Sequence, residues 1–553
     1  MDHTRVILAI ALSFLVFIVW QFLFAPKEPD RRAEPRVTAP STPGEKIAPE
    51  KPYVPKEATA EAAGTQPSAP ALESGRLITV DTPLYRAQFS EARAAVTSFV
   101  LKKYREHVAK DSPLKQLVSP GLEDGTLLVS FEQGTLPDLK QALYTAQTPG
   151  QFIDVAGKPQ DLVFTWTAPD GVVVEKIYRF DPNTYLMGLT VDVKNGTAQP
   201  LKGRLAVSLN SIVPEVKQAY GFEGPSAYIN HKLQQIDIKD IDEKKVFEGI
   251  IDWIAVQSRY FMSSIVPETP ADATFHLIHR ENNLVIARFI LPETTIKPQT
   301  QQSFRFDIFK GPKSMSLLNT YKSSLGKAIN FGMFDFLAKP CLWLMNFIYH
   351  RLIPNYGVAI IILTVIIKLL LWPLGTKSYK SMSEMKKLAP LIKEIKEKYK
   401  NDRKRVNEET MALYRTYKIN PLGGCLPMLV QIPVFFALYR MLYEAIELRH
   451  APFFLWIDDL SAPDRLFRFD FTIPFMEPPI GIPVLTLVMG ATMFLQQKMS
   501  PAVGDPTQAK VMMLMPVVFT VIFINFSSGL VLYWLVNNVV SISQQYYITK
   551  KYA

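Results

Sequence analysis

Cysteine is nearly missing from this chain, with only Cys341 and Cys425 among 553 residues. The topology derived below places the two thiols near opposite membrane faces. That excludes a disulfide framework, and neither thiol has metal-ligand company. Motifs for bond chemistry are missing too. There is no phosphate loop and no nucleophile elbow. His107, His231, His276 and His279 lack metal-ligand spacing and read as scattered surface histidines. No metal or cofactor is therefore expected. Evenly spread basic charge is the third absence. The net charge is +10, yet residues 375–425 alone carry 13 Lys+Arg against 6 Asp+Glu, a surplus of +7 in one loop. A protein specific for nucleic acid would spread that charge over a soluble face. Here it lies between two apolar runs, as a cytoplasmic loop does under the positive-inside rule.

What the chain does have is apolar length. Residues 356–374 run Tyr-Gly-Val-Ala-Ile-Ile-Ile-Leu-Thr-Val-Ile-Ile-Lys-Leu-Leu-Leu-Trp-Pro-Leu, enough to cross a ~30 Å hydrocarbon core as a helix at roughly 1.5 Å per residue. Lys368 does not belong there, because an ammonium at a helix centre costs about 2.5–3.5 kcal/mol. It marks a functional site, or else its stem snorkels towards Gly375. Thr364, one turn earlier, adds a second polar group on the same face.

Before this span come a signal anchor (1–24), a Pro- and Ala-rich linker (25–75) and a β-rich domain (76–325). The anchor's apolar run ends in Phe22-Leu23-Phe24-Ala25-Pro26, which lacks the small residues of a cleavage site. The β domain has short alternating runs such as Val172–Tyr178, bounded by turns at Pro169-Asp170-Gly171 and Asp181-Pro182-Asn183, and predicts one large antiparallel sandwich. Residues 326–353 mix Phe, Leu, Trp and Met with charge, as an amphipathic helix in the membrane interface would.

After the span at 354–374 comes the basic segment 375–424. Met385, Leu388, Ile392, Ile395 and Tyr399 are spaced as a heptad seam, and Val406, Thr410, Leu413 and Tyr417 repeat it after Asn401-Asp402. Two short helices in an antiparallel hairpin are expected, with Pro390 kinking the first. Lys386, Lys387, Lys393, Lys396, Arg403, Lys404 and Arg405 face outwards, either simply solvated or as a docking surface. Further spans are expected at 425–446, 480–497, 511–526 and 529–547, joined by an outside loop (447–479) and an inside loop (498–510), with a cytoplasmic tail (548–553). Ile482–Leu495 and Val511–Ile524 are each only 14 residues, roughly 21 Å, so local bilayer thinning is expected. The sum is six spans with both termini cytoplasmic. Arg440 and Glu444, four apart, should pair. Gln431, Gln496, Gln497, Asn525, Asn537, Asn538 and Ser541 add polar groups to the spans, as interhelical glue or as the lining of one hydrated recess with Lys368. Five methionines, at 489, 493, 512, 513 and 515, suit a surface that accepts many apolar partners, or ordinary packing.

Asn420-Pro421-Leu422-Gly423-Gly424-Cys425-Leu426-Pro427 followed by Gln431-Ile432-Pro433-Val434-Phe435-Phe436-Ala437-Leu438-Tyr439 resembles the signature of the YidC membrane-protein insertases. So do Gln497-Lys498-Met499-Ser500-Pro501, Met515-Pro516-Val517 and Ser528-Gly529-Leu530-Val531-Leu532-Tyr533-Trp534. The domain at 76–325 followed by Lys310-Gly311-Pro312 is similar to the periplasmic domain of the family's Gram-negative branch. The resemblance implies a β-supersandwich, a five-helix insertase core after the signal anchor, and a groove open to cytoplasm and lipid. It implies Thr364, Gln431, Phe435, Tyr533 and Trp534 as groove or substrate-contact residues. Lys368 stands where the family usually has arginine, which keeps the charge but not the bidentate fork. Nascent membrane proteins, membrane lipids, the Sec translocon (SecYEG, SecDF) and ribosome or targeting factors are the partners it implies. Two other classes stay open on the residues alone: a secondary transporter or channel using Lys368, although no inverted repeat is visible, and a membrane-anchored periplasmic glycan-binding protein.

Overall fold

The computed structural model describes residues 75–213, 221–321, 323–400, 402–417, 419, 426–499 and 506–552. The expected signal anchor, almost all of the linker, and Cys425 lie outside the described residues.

From Leu77 to Pro312 the chain is β-structure in two sheets, one of five strands and one of fourteen. Alternation sets which face of each strand is buried. In Val172–Phe180 every second residue is buried, and the strand pairs antiparallel with Leu186–Asn195 across the Asp181–Asn183 turn, where the Asp181 carboxylate accepts from the Asn183 N–H. One pairing departs from the expected antiparallel pattern: Leu77–Asp81 runs parallel to Phe152–Asp154. The sheets meet through aromatic rings. Phe89 of the small sheet lies 4.8 Å from Tyr178 and 6.3 Å from Phe164 of the large one.

The inward phase of Val172–Phe180 also carries Lys176, which is fully buried. Its ammonium donates to the carbonyls of Arg93, Ala94 and Leu127 at 3.2, 2.7 and 3.1 Å. All three are left-handed residues in the facing layer, and the lysine ties their carbonyls to the large sheet. Burial, with the Arg93 charge adding to it, pushes the Lys176 pKa down to about 7.

The helical part begins with α1 (Asp335–Arg351), inside the expected 326–353. Ala338, Leu342, Met345 and Ile348 are buried on one side, while Phe336, Trp343 and Phe347 are exposed on the other. Then come α2 (Tyr356–Leu370) and α3 (Trp372–Lys387), bent by 63°. The straight span expected to residue 374 therefore ends at Leu370. Pro373 has no N–H to continue the ladder and its ring crowds the carbonyl four residues back, so the chain restarts with proline in a first turn.

The basic segment holds a break more than expected. Proline again starts a new helix, so α4 (Ala389–Lys398) is separate from α3, and α5 (Arg403–Thr416) follows, capped by Asp402. Met385, Leu388 and Tyr414 form its small core, with Ile392 and Leu413 against it. Tyr417 is 54% exposed and leaves the predicted seam, its place taken by Tyr414.

The remaining helices are α6 (Leu426–Glu444), α7 (Val484–Met499), α8 (Pro506–Phe523) and α9 (Ser528–Tyr552). Residues 480–482, expected as the start of a span, are a short strand, and Pro483 precedes the helix. Prolines again mark a boundary in α8, which starts at Pro506, within the expected loop, while α9 has no breaker after Tyr547 and runs through the expected tail to Tyr552. No single described helix is long and apolar enough to cross a membrane, although α2 and α3 pass that test together.

One end of the helical part is tied to the β domain. Arg259 donates to the Tyr443 carbonyl at 2.8 Å and stacks on its ring at 3.6 Å. The Ser314 hydroxyl donates to Glu447 at 3.1 Å, and Arg449 donates to the carbonyls of Arg105 and Glu106. Arg440 and Glu444 pair at 3.0 Å, as their spacing predicts.

Lys176→Met should destabilise the β domain by about 2–4 kcal/mol, because buried carbonyls lose their donors. Pulse proteolysis of the full chain in urea measures it. Below pH 7 both folded and unfolded chains hold the lysine proton. Between about 7 and the ordinary lysine range only the unfolded chain does, so wild-type stability rises with pH there and the gap to Lys176→Met widens. A gap that narrows from pH 7 to 9 would reverse the sign of this account.

Candidate functional site

Lys368 sits three residues before the bend, in the last turn of α2. Its ammonium turns inwards instead of snorkelling, donating to the Ser541 hydroxyl of α9 at 2.8 Å and to the Gln431 side-chain carbonyl of α6 at 3.4 Å. The Gln431 amide donates to the Asn537 side chain at 2.7 Å, and the Ser541 hydroxyl donates back to the Asn537 carbonyl at 2.7 Å. Three helices thus contribute one hydrogen-bonded cluster around a cation. Asn537 and Ser541 lie four apart on α9, which puts both on its α2-facing side. Among the described residues no carboxylate pairs with Lys368.

The other expected groove residues fall into separate places. Thr364 is buried and its hydroxyl donates to its own helix, to the Ile360 carbonyl at 2.7 Å. Phe435 meets Trp534 edge-on at 4.7 Å, and Trp534 packs on Phe523 at 5.0 Å. Tyr533 is buried next to Trp534 in sequence, and its side chain hydrogen-bonds Gln431, which joins it to the Lys368 cluster. This aromatic cluster lies about two turns along α9 from Ser541, roughly 10 Å nearer the β domain. The helices therefore offer a polar level and an aromatic level in succession.

Two residues expected in the recess are elsewhere. Asn525 belongs to the loop beyond α8, where its side chain accepts from Arg465 and from the Glu477 N–H and donates to the Phe475 carbonyl. Asn538 donates to Thr492 of α7 at 3.2 Å, as interhelical glue. The methionines divide as well: Met489 is fully buried, while Met512, Met513 and Met515 are exposed.

Two residues went unforeseen. Tyr379 of α3 reaches Ser541 and Gln496 with its side chain. Gln544 donates to the Trp372 carbonyl at 2.9 Å, holding the bend onto α9. The signal for Gln544 was in the sequence, since 537, 541 and 544 continue one helical face. Tyr379 was hidden because the bend that aims it had not been placed.

The basic residues of α3 to α5 form a distinct surface. Lys386, Lys387, Lys393, Lys404 and Arg405 are exposed, Lys396 is half-buried, and Arg403 begins α5. Lys393–Glu397 and Lys404–Glu408 are 4.0 Å pairs in water, worth about 0.3–0.5 kcal/mol each. Arg405 lies over the Tyr399 ring at 5.1 Å.

Residues 347–553 match the family described as 60Kd inner membrane protein, and residues 77–344 match the YidC periplasmic domain. The chain is similar to the membrane protein insertase YidC of Syntrophus aciditrophicus, at 40% identity over 99% of both chains. It is also similar to that of Syntrophobacter fumaroxidans, at 39% identity over 99% of both. Among solved structures, an active YidC insertase with its first transmembrane domain resolved aligns at 19% identity over 86% of this chain and 95% of that one, with a TM-score of 0.36. A galactose mutarotase related enzyme from Lactobacillus acidophilus aligns at 8% identity over 42% and 97%, with a TM-score of 0.32.

A Cβ on Gly375 would fall 2.8 Å from the Gln544 amide. Gly375→Ala should therefore displace the Gln544 amide from the Trp372 carbonyl, losing a hydrogen bond of about 0.5–1.5 kcal/mol that alanine's helix propensity partly offsets, read as a thermal midpoint in detergent that falls slightly or not at all. Gly375→Ala with Gln544→Ala should lose less than the two separate losses added. Simple additivity would show that the two sites do not touch.

Proposed function

The chain belongs to the YidC family of membrane protein insertases, and on that premise we propose which of its residues carry the insertion. It is an inner-membrane protein that acts on nascent membrane proteins, and it is not an enzyme. Its β-rich domain is periplasmic.

The observation that carries the proposal is the Lys368 ammonium, held by Ser541 and Gln431 with no carboxylate partner among the described residues. A cation in that state attracts the acidic residues of an entering polar tail. The β domain is tied to Tyr443, Glu447 and Arg449, at and just beyond one end of α6, which supports reading that end as periplasmic. The basic helices α3 to α5, at the far side of the bend, then face the cytoplasm, in keeping with their charge. This topology has six spans, counting the signal anchor, with both termini cytoplasmic.

A nascent chain first meets Lys386, Lys387, Lys393, Lys396, Arg403, Lys404 and Arg405, where a ribosome or targeting factor also docks. Its short polar tail passes to the level of Lys368, Gln431, Asn537 and Ser541. Thr364 shapes the wall of α2 there. The apolar segment then leaves past α6 and α8, beside Phe435, Tyr533 and Trp534. The short apolar lengths of α7 and α8 support a thinned bilayer at this point, which shortens the polar path. Partition of the apolar segment supplies the drive, and the membrane potential adds ~2.3 kcal/mol per 100 mV for each negative charge moving outwards. Insertion with the Sec translocon would use the same helices with a second exit beside them.

Proteoliposomes holding only this chain test the proposal. Lys368→Ala should lose insertion of a small membrane protein with an acidic translocated tail, and retain far more for a neutral tail. Lys368→Arg should insert both. Equal insertion of the acidic tail by Lys368→Ala would remove the attraction. Neutralising Lys386, Lys387, Lys393 and Lys404 together should weaken ribosome co-sedimentation, increasingly so at low salt. Unchanged binding would leave those lysines as a solvated face.

A further inference from the structure

The loop between α6 and α7 presents phenylalanine to the outside. Leu466–Phe469 and Ile480–Ile482 form a two-stranded ribbon. Phe467 occupies a bulge in this ribbon with a left-handed backbone, and Phe471 follows two residues after the strand's last ring, Phe469. Phe467 is 67% exposed, Phe471 59% and Phe475, in the connecting segment, 81%. Phe469 and Phe471 stack at 5.3 Å. An apolar patch of this kind marks an interaction surface.

The ribbon cannot swing away from the helices. Buried Arg465 donates to the Pro479 carbonyl at 2.9 Å, to the Ile524 carbonyl at 2.8 Å and to the Asn525 side chain at 3.2 Å. Asn525 in turn donates to the Phe475 carbonyl and accepts from the Glu477 N–H, both at 2.9 Å. Asp464 accepts from the Leu485 N–H at the start of α7. Both legs are thus fastened where α8 ends and α7 begins. Arg449, on the same loop, is bonded to the β domain, so this is the β-domain side.

What covers the rings follows from the neighbouring helices. Leu514, Val517, Val518, Val521 and Ile522 of α8 are exposed, a face for acyl chains. The apolar runs of α7 (Val484 to Leu495) and α8 (Val511–Phe523) rise roughly 18–20 Å of a ~30 Å core. The exposed phenylalanines lie beyond their β-domain ends. At the opposite end α7 closes on Gln496-Gln497-Lys498 before Met499, and the first five residues of α8 include Gln508 and Lys510.

We propose that the ribbon from Phe467 to Phe475 sets its phenylalanine rings in the hydrocarbon of the outer leaflet, which extends the short apolar length of α7 and α8 at their β-domain ends. This rests on the topology above, with the loop outside.

The test is spin labelling of the full chain in proteoliposomes. Phe475→Cys, and separately Phe471→Cys, would be made with Cys341→Ser and Cys425→Ser. Leu514→Cys serves as the lipid reference and Lys140→Cys, on the exposed surface of the β domain, as the aqueous one. Power saturation should show both ribbon labels several-fold more accessible to oxygen than to a water-soluble nickel chelate, as at 514. Nickel accessibility matching 140 would place the ribbon in water and overturn the proposal. Protection from both reagents would mean a protein cover, a second copy or another chain, and would overturn it equally. Insertion by the same labelled chains is measured in parallel: normal insertion with a water-exposed label sinks only this inference and leaves the groove reading intact.

Discussion

An ammonium placed among apolar helices costs about 2.5–3.5 kcal/mol at a span centre, and the arrangement of the helical part follows from how that cost is met. Lys368 is answered by a glutamine on α6 and a serine on α9, and an asparagine on α9 engages both. Those bonds require α6 and α9 to lie against α2 at one height. The bend after Leu370 brings α3 across the end of α9, where Gln544 fastens it. Removing the charge would leave the other polar groups with one another, but without a reason for three helices to share that level.

The β domain shows the same problem solved to a different end. Lys176 is also buried and cationic in origin, but three carbonyls surround it and its pKa falls to about 7. That lysine is satisfied and closed off. Lys368 is held by one hydroxyl and one amide carbonyl, on a side chain that remains partly accessible. Both lysines are withdrawn from solvent; what distinguishes them is how much of their bonding the fold has already completed.

Much of this could be read from residue order. The apolar run at 356–374, the lysine inside it and the polar residues Gln431, Asn537 and Ser541 are visible in sequence, and they do converge. The alternation in Val172–Phe180 even places Lys176 on the inward face, although a lysine there is easily read as an interruption. What sequence hides is direction after a break. Pro373 and Pro390 each start a new helix, and no local pattern says how far the axis turns, so Tyr379 could not be aimed. Asn525 failed for a related reason. Its polarity inside an apolar stretch suggested the recess, but the helix ends two residues earlier and the side chain closes a loop onto Arg465. The phenylalanines at 467–475 are plain in sequence, and only the clamp by Arg465 and Asn525 gives them a fixed position.

The ammonium of Lys368 has three N–H groups, and the described residues engage two of them. The third sits on a bond that rotates. An arginine fork would grip a carboxylate from two sides and set its plane. In the proposed role, a single rotating proton would work more like a bearing: it would pass from one acidic residue to the next as a chain slid by, holding each for an instant and orienting none. The proposed groove would then be indifferent to the sequence crossing it so long as some negative charge came through.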